Sequence, residues 1–351
     1  MQISTEPFTV NKRVALTISR GTTAESTNTW LRLRCEGVEG WGEASPFSVG
    51  QRQTSQTTRE ALAQVAPQLT SLSPFDQQAI ARHTASLPSA ARAALDMALH
   101  DWIGKALNVP LWKLWGGDRD RIVPTSFTIG ISAPEKAQER LRLWQEQVTV
   151  RAVKIKLGSP KGRDADKAMF EAVQQQARSS AEADSPKFSV DANGGWTVEE
   201  TLMMVDWLAE RGVTYVEQPL ARGQEAGLSE IYPRSPLPIV ADESCFTSRD
   251  IPALAGRVHG INIKLMKSGG LSEARRMVHT AQAHGLKVMF GCYSDSALSN
   301  AAAAQLAPYA DYLDLDSHLN LVNDPFTGVG LNSGRPWPND APGLGVRRSD
   351  A

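Results

Sequence analysis

Cysteine is scarce: Cys35, Cys245 and Cys292 are the three in 351 residues. None forms a C-x-x-C pair, so neither a zinc site nor a disulfide framework is indicated. Cys245 and Cys292 sit just past expected strand ends, where a thiol nucleophile stays open. Small buried thiols in a reducing compartment are the plainer reading. Net charge is nearly absent as well, with 37 Lys and Arg against 38 Asp and Glu and a formal charge of -1. That balance argues against nucleic acid and anionic membrane as partners. No uninterrupted apolar stretch is long enough to span a bilayer. The opening MQISTEPFTVNKR has no apolar core of the signal-peptide kind. A cytoplasmic location is expected. Glycine is plentiful but nowhere forms G-x-G-x-x-G, which counts against a dinucleotide-binding open sheet. No sequence repeat of solenoid type is present.

What the chain does have is a carboxylate at the end of three successive strand-like runs. Phe188–Val190 is a short apolar run after the breaker Pro186, ending in Asp191 and the loop glycines Gly194 and Gly195. VTYVEQP (Val213–Pro219) ends its run in Glu217, and IVADES (Ile239–Ser244) ends in Asp242. Each lies about one strand-and-helix unit from the last. Taken singly, such an acid is most simply a helix cap. Three at the same end of three parallel neighbours converge, and they repel unless a cation neutralises them. Three hard oxygen ligands with room for water and substrate suit Mg²⁺.

Residues 1–120 read as an α+β unit. Phe8–Ile18 and Thr29–Cys35 alternate like strands, and Gly37–Glu43 reads as the turn and return of a hairpin. Polar loops are expected at Ser19–Glu25 and Ser45–Thr54. A helix is expected over Thr57–Leu69, interrupted near Pro67, and another over Ser89–Leu107 with Ser89 as N-cap. Asp96, His100 and Asp101 on the latter read as polar packing rather than a metal site. From Ile122 strands alternate with amphipathic helices. The strands are Ile122–Ile129, Ala152–Leu157, Phe188–Val190, Val213–Val216, Ile239–Ala241, Ile261–Leu265, Lys287–Phe290 and Tyr312–Leu315. Helices include Asp166–Ala183, Val198–Arg211, Leu271–Ala283 and Ala297–Leu306. This pattern predicts a (β/α)-barrel over residues 121–320. The loop-like tail, 321–351, is expected to pack back on the first unit.

In a barrel the C-terminal rim of the strands carries the chemistry. Here the rim holds Lys154, Lys156, Asp191, Glu217, Asp242, Lys264 with Lys267 just beyond, Asp314 and Asp316. Any one lysine alone would be read as a snorkelling surface side chain. Strand alternation puts Lys154 and Lys156 on one face, where two ammonium groups are costly without carboxylates nearby. Lys156 and Lys264 fall on the second and sixth strands, roughly opposite each other, with the acids between. A substrate carboxylate at the metal would then have one lysine on each face. One lysine can remove a proton from the adjacent carbon and the other return one, the metal stabilising the enediolate. The positive field is expected to lower a lysine pKa into the range of a base.

KIKLG, DANGGW, VEQP, ADES and NIKLMKSGG, in this order and spacing, resemble the enolase superfamily in its muconate-lactonizing subgroup. The resemblance covers nearly the whole chain. It implies a modified TIM-type (β/α)-barrel with an N-terminal α+β capping domain completed by the C-terminal tail. It implies Asp191, Glu217 and Asp242 as Mg²⁺ ligands and Lys156 and Lys264 as the acid/base pair, the superfamily's established pattern. Lys154 would help to hold the substrate carboxylate. Asp314-Leu315-Asp316 is similar to the D-x-D of dipeptide epimerases, the L-Ala-D/L-Glu epimerase group, whose carboxylates bind the dipeptide's α-ammonium. The implied function is epimerisation of a dipeptide at the α-carbon of its C-terminal residue.

Two acids suit a cationic ligand group and repel a dicarboxylate such as muconate; a turn-capping role stays open for Asp314. Some members carry a second arginine where this chain has Thr23, so the preference for the second residue stays open. Arg20 either meets the substrate side chain or is a solvated loop cation. Asp295 either faces that side chain or caps the Ala297–Leu306 helix. The competing enzymes are an N-succinylamino-acid racemase, an o-succinylbenzoate synthase and a muconate cycloisomerase. Sugar-acid dehydration lacks its histidine base, the nearest candidates being His284 and His318. A non-catalytic metal- or peptide-binding barrel would not need both lysines. Homo-oligomerisation is left open.

Overall fold

Residues 1–179 and 185–349 are described by the computed structural model. The chain begins with a long antiparallel hairpin. β1 (Gln2–Ile18) and β2 (Gly21–Cys35) pair from Gln2↔Arg34 to Ile18↔Gly21, with one irregularity between Asn11 and Leu16. The expected loop over Ser19–Glu25 is therefore only a turn at Ser19 and Arg20. The threonines beyond it are good strand formers, and Thr17 and Thr22 join their hydroxyls across the pair at 2.8 Å. β3 (Val38–Ala44) completes the sheet. Its glycines are where a helix, α3 (Ser89–Ala106), lies on the strand. A Cβ on Gly40 would stand 2.0 Å from the Ala98 carbonyl oxygen, and one on Gly42 1.9 Å from that of Ala94. No side chain fits there, which explains the pairing of a glycine strand with an alanine helix.

α1 (Ser55–Leu69) runs through Pro67 without a break, because so close to the helix end only the last turn loses a hydrogen bond. After α2 (Gln77–Thr84), α3 starts at Ser89, with Pro88 rather than Ser89 as N-cap. Capping comes from a distant residue instead. Gln53 accepts the Ala90 N–H at 2.9 Å and donates to the Ser89 hydroxyl at 3.0 Å. The acids of α3 serve packing, as expected. Asp101 accepts the Trp41 and Leu344 N–H groups, both at 2.9 Å, and Asp96 accepts the Ser272 N–H at 3.0 Å.

A one-turn helix, α4 (Leu111–Leu114), leads to the barrel. Its strands are β4 (Ser126–Ile129), β5 (Ala152–Lys156), β6 (Lys187–Asp191), β7 (Val213–Glu217), β8 (Ile239–Ala241), β9 (Gly260–Ile263), β10 (Lys287–Gly291) and β11 (Tyr312–Asp314). They form one eight-stranded sheet in sequence order with parallel neighbours. β4 starts later than expected, since Pro124 has no N–H for the ladder. A bridge between Thr125 and Leu313 brings the last strand to the first, and Thr125 Oγ1 accepts the Leu315 N–H at 2.8 Å. The fold is thus a (β/α)-barrel behind an antiparallel cap.

The connecting helices are α5 (Pro134–Gln147), α6 (Arg163–Ser179), α7 (Val198–Ala209), α8 (Leu228–Ile231), α9 (Ile251–Leu254), α10 (Leu265–Ser268), α11 (Leu271–Ala283) and α12 (Ala297–Ala304). Residues 180–183 of the helix expected over Asp166–Ala183 lie outside the described residues. α8 and α9 are single turns, and α10 is an extra turn directly after β9. Among the described residues no helix is long and apolar enough to cross a membrane.

Strand alternation divides the barrel. Phe127, Ile129, Val153, Ile155, Val190, Ile261 and Ile263 join the large cluster shared with the helices. Each such burial contributes ~1.5–3 kcal/mol. Among the described residues the interior has a small apolar plug, Tyr215, Val240 and Met289, with the Tyr312 ring tilted against that of Tyr215. Above it the interior is polar. The tail is more ordered than a loop: β12 (Phe326–Thr327) pairs with β15 (Arg347–Arg348), and β13 (Val329–Asn332) with β14 (Arg335–Pro338). It meets the first unit through Phe326 against Trp30 and Trp41 and through Arg348 with Glu6 at 2.6 Å.

Candidate active site

The strand ends set the acids side by side: Lys156 is in register with Asp191, and Asp191 with Glu217. All the rim lysines and acids are buried. Lys154 Nζ donates to Asp314 Oδ2 at 2.7 Å and lies 2.5 Å from Glu217 Oε2 and 3.9 Å from Asp191 Oδ2. Lys156 donates to Asp191 Oδ2 at 2.6 Å. Lys264 donates to Asp242 Oδ2 at 2.8 Å, and Lys267 to Asp242 Oδ1 at 2.5 Å.

These pairings set the electrostatics. Burial alone would raise Asp242, but Lys264 and Lys267 override it and hold the carboxyl well below its usual range. Burial and the neighbouring Asp191 raise Glu217 to about 7, against the pull of Lys154. Among the protein's own ionisable groups, two opposing effects act on Lys264. Burial lowers it, but Asp242, with smaller contributions from Tyr293, Glu217 and Glu243, keeps the ammonium well above its ordinary value. The physical reason is proximity: a carboxylate in contact outweighs desolvation.

Several supporting residues escape a reading of the sequence. Asn262 donates to Glu217 Oε1 at 2.6 Å. Its only signal was its place two residues before Lys264, on the same strand face. Gln218, at a strained φ of 37°, accepts the N–H groups of Asp242 (2.8 Å) and Ser244 (3.2 Å). Its side chain thereby ties the ends of two neighbouring strands. Gly291 on β10 leaves room for Lys264; a Cβ there would come within 3.0 Å of Lys264 Cε. Lys267 lies one turn past Lys264 and is fully buried, which spacing alone did not reveal.

The remaining candidates separate. Arg20 is exposed but not free: it pairs with Glu243 at 2.7 Å and donates to the Asn193 carbonyl at 2.7 Å, clamping the cap's hairpin turn to the rim. Asp295 does not cap α12. Ser296 does so, its side chain accepting from the Leu298 N–H, while Asp295 is buried and accepts from Ser45 at 2.5 Å. Asp314 is saturated by Lys154, Ser126 (2.7 Å) and Thr128 (3.3 Å), and Lys154 and Lys156 hold it down to about 2 despite burial. Asp316 accepts the Thr128 N–H at 2.7 Å, and burial and Asp314 raise it to about 6. Neither ring nitrogen of His318 has a partner, and burial lowers it to about 4.

Two cavities meet at Lys156, Cys292 and Tyr293. One, about 390 Å³, reaches Asp314, Asp316 and Arg140. The other, about 430 Å³, runs under the cap past Phe47, Val49 and Arg20 and also takes in Lys264. Buried lysines and acids beside a cavity can hold a carboxylate and move protons at the carbon next to it.

The acids were expected to converge on a cation. In the structure each meets an ammonium instead, and among the described residues no three His, Cys, Asp or Glu side chains stand close enough to hold an ion. Buried carboxylates require positive charge from some source, and the lysines provide it here. The donor chemistry nevertheless fits a small hard cation. Glu217 Oε2 and Asn193 Oδ1 are buried oxygens that accept no well-directed hydrogen bond, and burial together with the like charge of Asp191 makes a bare Glu217 carboxylate costly.

The fold and this rim define an enzyme of the (β/α)-barrel class. The chain belongs to the enolase superfamily, in its mandelate racemase / muconate lactonizing enzyme group. Residues 136–351 match the enolase C-terminal domain-like family, and residues 3–116 the mandelate racemase / muconate lactonizing enzyme N-terminal domain. A hydrophobic dipeptide epimerase of Flavobacteria bacterium (strain MS024-2A) is 44% identical over 349 residues, covering 99% of this chain and 98% of its own. The substrate-liganded L-Ala-D/L-Glu epimerase of Bacillus subtilis superposes with a TM-score of 0.92 at 27% identity, covering 100% of this chain and 99% of its own. The dipeptide epimerase of Cytophaga hutchinsonii, in complex with Mg and D-Ala-L-Val, does so with a TM-score of 0.91 at 26% identity, covering 99% and 96%.

Proposed function

We propose that the protein is a Mg²⁺-dependent dipeptide epimerase that inverts the α-carbon of the C-terminal residue by proton transfer between two lysines. One observation carries this reading: Lys156 and Lys264, anchored on different carboxylates, line one cavity. Asp191, Glu217 and Asp242 would hold the metal. Mg²⁺ bound there would draw electron density from a substrate carboxylate and acidify the neighbouring carbon. Lys154 adds positive charge where that carboxylate would lie. Lys156 and Lys264 exchange the proton, one as base and the other as acid.

Asp316, rather than the saturated Asp314, is left to meet the substrate's α-ammonium. The second residue would lie under the cap, where Leu16, Ile18, Phe47 and Val49 line the cavity and Glu243 neutralises Arg20. That lining favours an apolar second residue over glutamate. Residues 1–120 would form the cap, 121–320 the catalytic barrel and 321–351 the tail that completes the cap. The three free cysteines suit a cytoplasmic enzyme.

The test is incubation with a library of L,L-dipeptides in D₂O and Mg²⁺. Deuterium is expected at the α-carbon of the second residue, with formation of the L,D product. Absence of exchange across the library would overturn the assignment. Lys12, Lys136 and Arg140 line the same cavity as Asp316, which would also suit an N-acyl group ending in a carboxylate. N-succinylamino acids in the same assay decide between the two.

A further inference from the structure

The segment after β10, Cys292–Ser296, lies between the barrel and the cap, and the cap holds it. Asn28 donates to the Ser294 carbonyl at 2.8 Å, and Lys12 donates to the Ser294 hydroxyl at 2.5 Å. Ser45 donates to Asp295 at 2.5 Å. Glu43, at the end of β3, accepts the Ser296 N–H at 3.1 Å and the Ser296 hydroxyl at 2.6 Å. Phe47 stacks on Tyr293, with ring centroids 5.1 Å apart and planes 11° from parallel.

This clamp presents the Tyr293 ring to the site. Lys264 Nζ stands over the ring, 4.7 Å from its centroid. The ammonium therefore has Asp242 as one neighbour and an aromatic face as another, an arrangement that restricts its long side chain. Among the described residues no ring is placed in this way over Lys156.

We propose that Tyr293 is a positioning residue for Lys264, through which the docked cap sets the reach of one lysine and not the other. This rests on the two-lysine epimerase reading. It differs from a general structural role in its consequence: losing the ring impairs proton transfer on one face of the substrate only.

The experiment measures α-proton exchange in D₂O at saturating Mg²⁺ and dipeptide, separately for L,L and L,D isomers. The Lys156→Ala and Lys264→Ala proteins identify which isomer each lysine serves. Tyr293→Leu is expected to lower exchange of the isomer served by Lys264 by ~10-fold, less than the ~10²-fold expected for loss of the lysine itself, and to change the other by no more than ~2-fold. Tyr293→Phe keeps the ring and should keep the parent's ratio of exchange between the two isomers. Phe47→Leu removes the stacking partner and should shift the same isomer in the same direction, which preserves the test if Tyr293→Leu fails to fold by circular dichroism. Equal losses for both isomers, or no loss in either ring-disrupting variant, overturn the proposal while leaving the epimerase reading intact. A parent protein that exchanges neither isomer sinks the epimerase reading, and this one with it.

Discussion

Lys154 and Asp314 meet at 2.7 Å inside the barrel, joining the second strand to the eighth across the first. Ser126 on that first strand bonds the same carboxylate, so Asp314 closes the ring of strands as well as lining the cavity. Among the described residues the carboxylate of its neighbour Asp316 accepts one hydrogen bond, from the Thr128 N–H, and lines the same space.

This difference predicts a split. Asp314→Asn leaves a buried ammonium short of negative charge and should cost ~3–4 kcal/mol, the lower part of the range for a broken buried ion pair because Lys154 keeps Glu217. Asp316→Asn can still accept the Thr128 N–H. It should cost less than ~1 kcal/mol of stability, as a retained hydrogen bond allows, and chiefly raise KM for dipeptides. Urea unfolding and steady-state kinetics of the two variants check this. Equal stability losses would remove the distinction between a structural and a ligand-facing aspartate.

Glu43 predicts a pH dependence of stability. Burial and Asp295 raise it from 4.5 to about 8, with the bonds from Ser296 and Asn28 opposing. Below about pH 4.5 both folded and unfolded chains hold the proton. Between there and about 8 only the folded chain does, so this group's contribution falls as pH rises, by at most ~1.4 kcal/mol per unit. Glu43→Gln should flatten that decline. Thermal melts of both proteins across pH 5 to 8 test it, and identical slopes would count against a retained proton.

Metal removal should abolish turnover and leave the fold intact. The large apolar cluster lies between the strands and the helices, and every proposed ligand already has an ammonium partner, so folding does not depend on a cation. Chelation followed by circular dichroism and an epimerisation assay checks the point. Global unfolding on chelation would make the metal structural.

The two lysines should fail in complementary ways. Lys156→Ala and Lys264→Ala are each expected to lower epimerisation by at least ~10²-fold. Each should retain α-proton exchange only with the isomer whose α-hydrogen faces the surviving lysine. A variant that kept full epimerisation would reduce that lysine to electrostatic support.

Alternation and turn residues in the sequence were sufficient to place the barrel strands, the β2–β3 hairpin of the cap and the rim position of Asp191, Glu217, Asp242, Lys156 and Lys264. Those features are local: a period of two, a breaker, and a polar residue at the end of an apolar run. Pairings between distant residues were not legible. Nothing in the segment around Ser89 shows that Gln53 caps α3, nor does the sequence near Asp295 show that Ser45 occupies it. Arg20 reads in the sequence as either a substrate contact or a loop cation, and only the folded hairpin turn brings it to Glu243. Asp314 and Asp316 share one motif, yet only closure of the barrel assigns one to Lys154 and leaves the other beside the cavity. The sequence by itself determined which residues sit at the rim. Tertiary structure decided which charge each one meets, because burial makes every lysine and acid take the nearest partner, and that partner comes from a strand or domain far away in the chain.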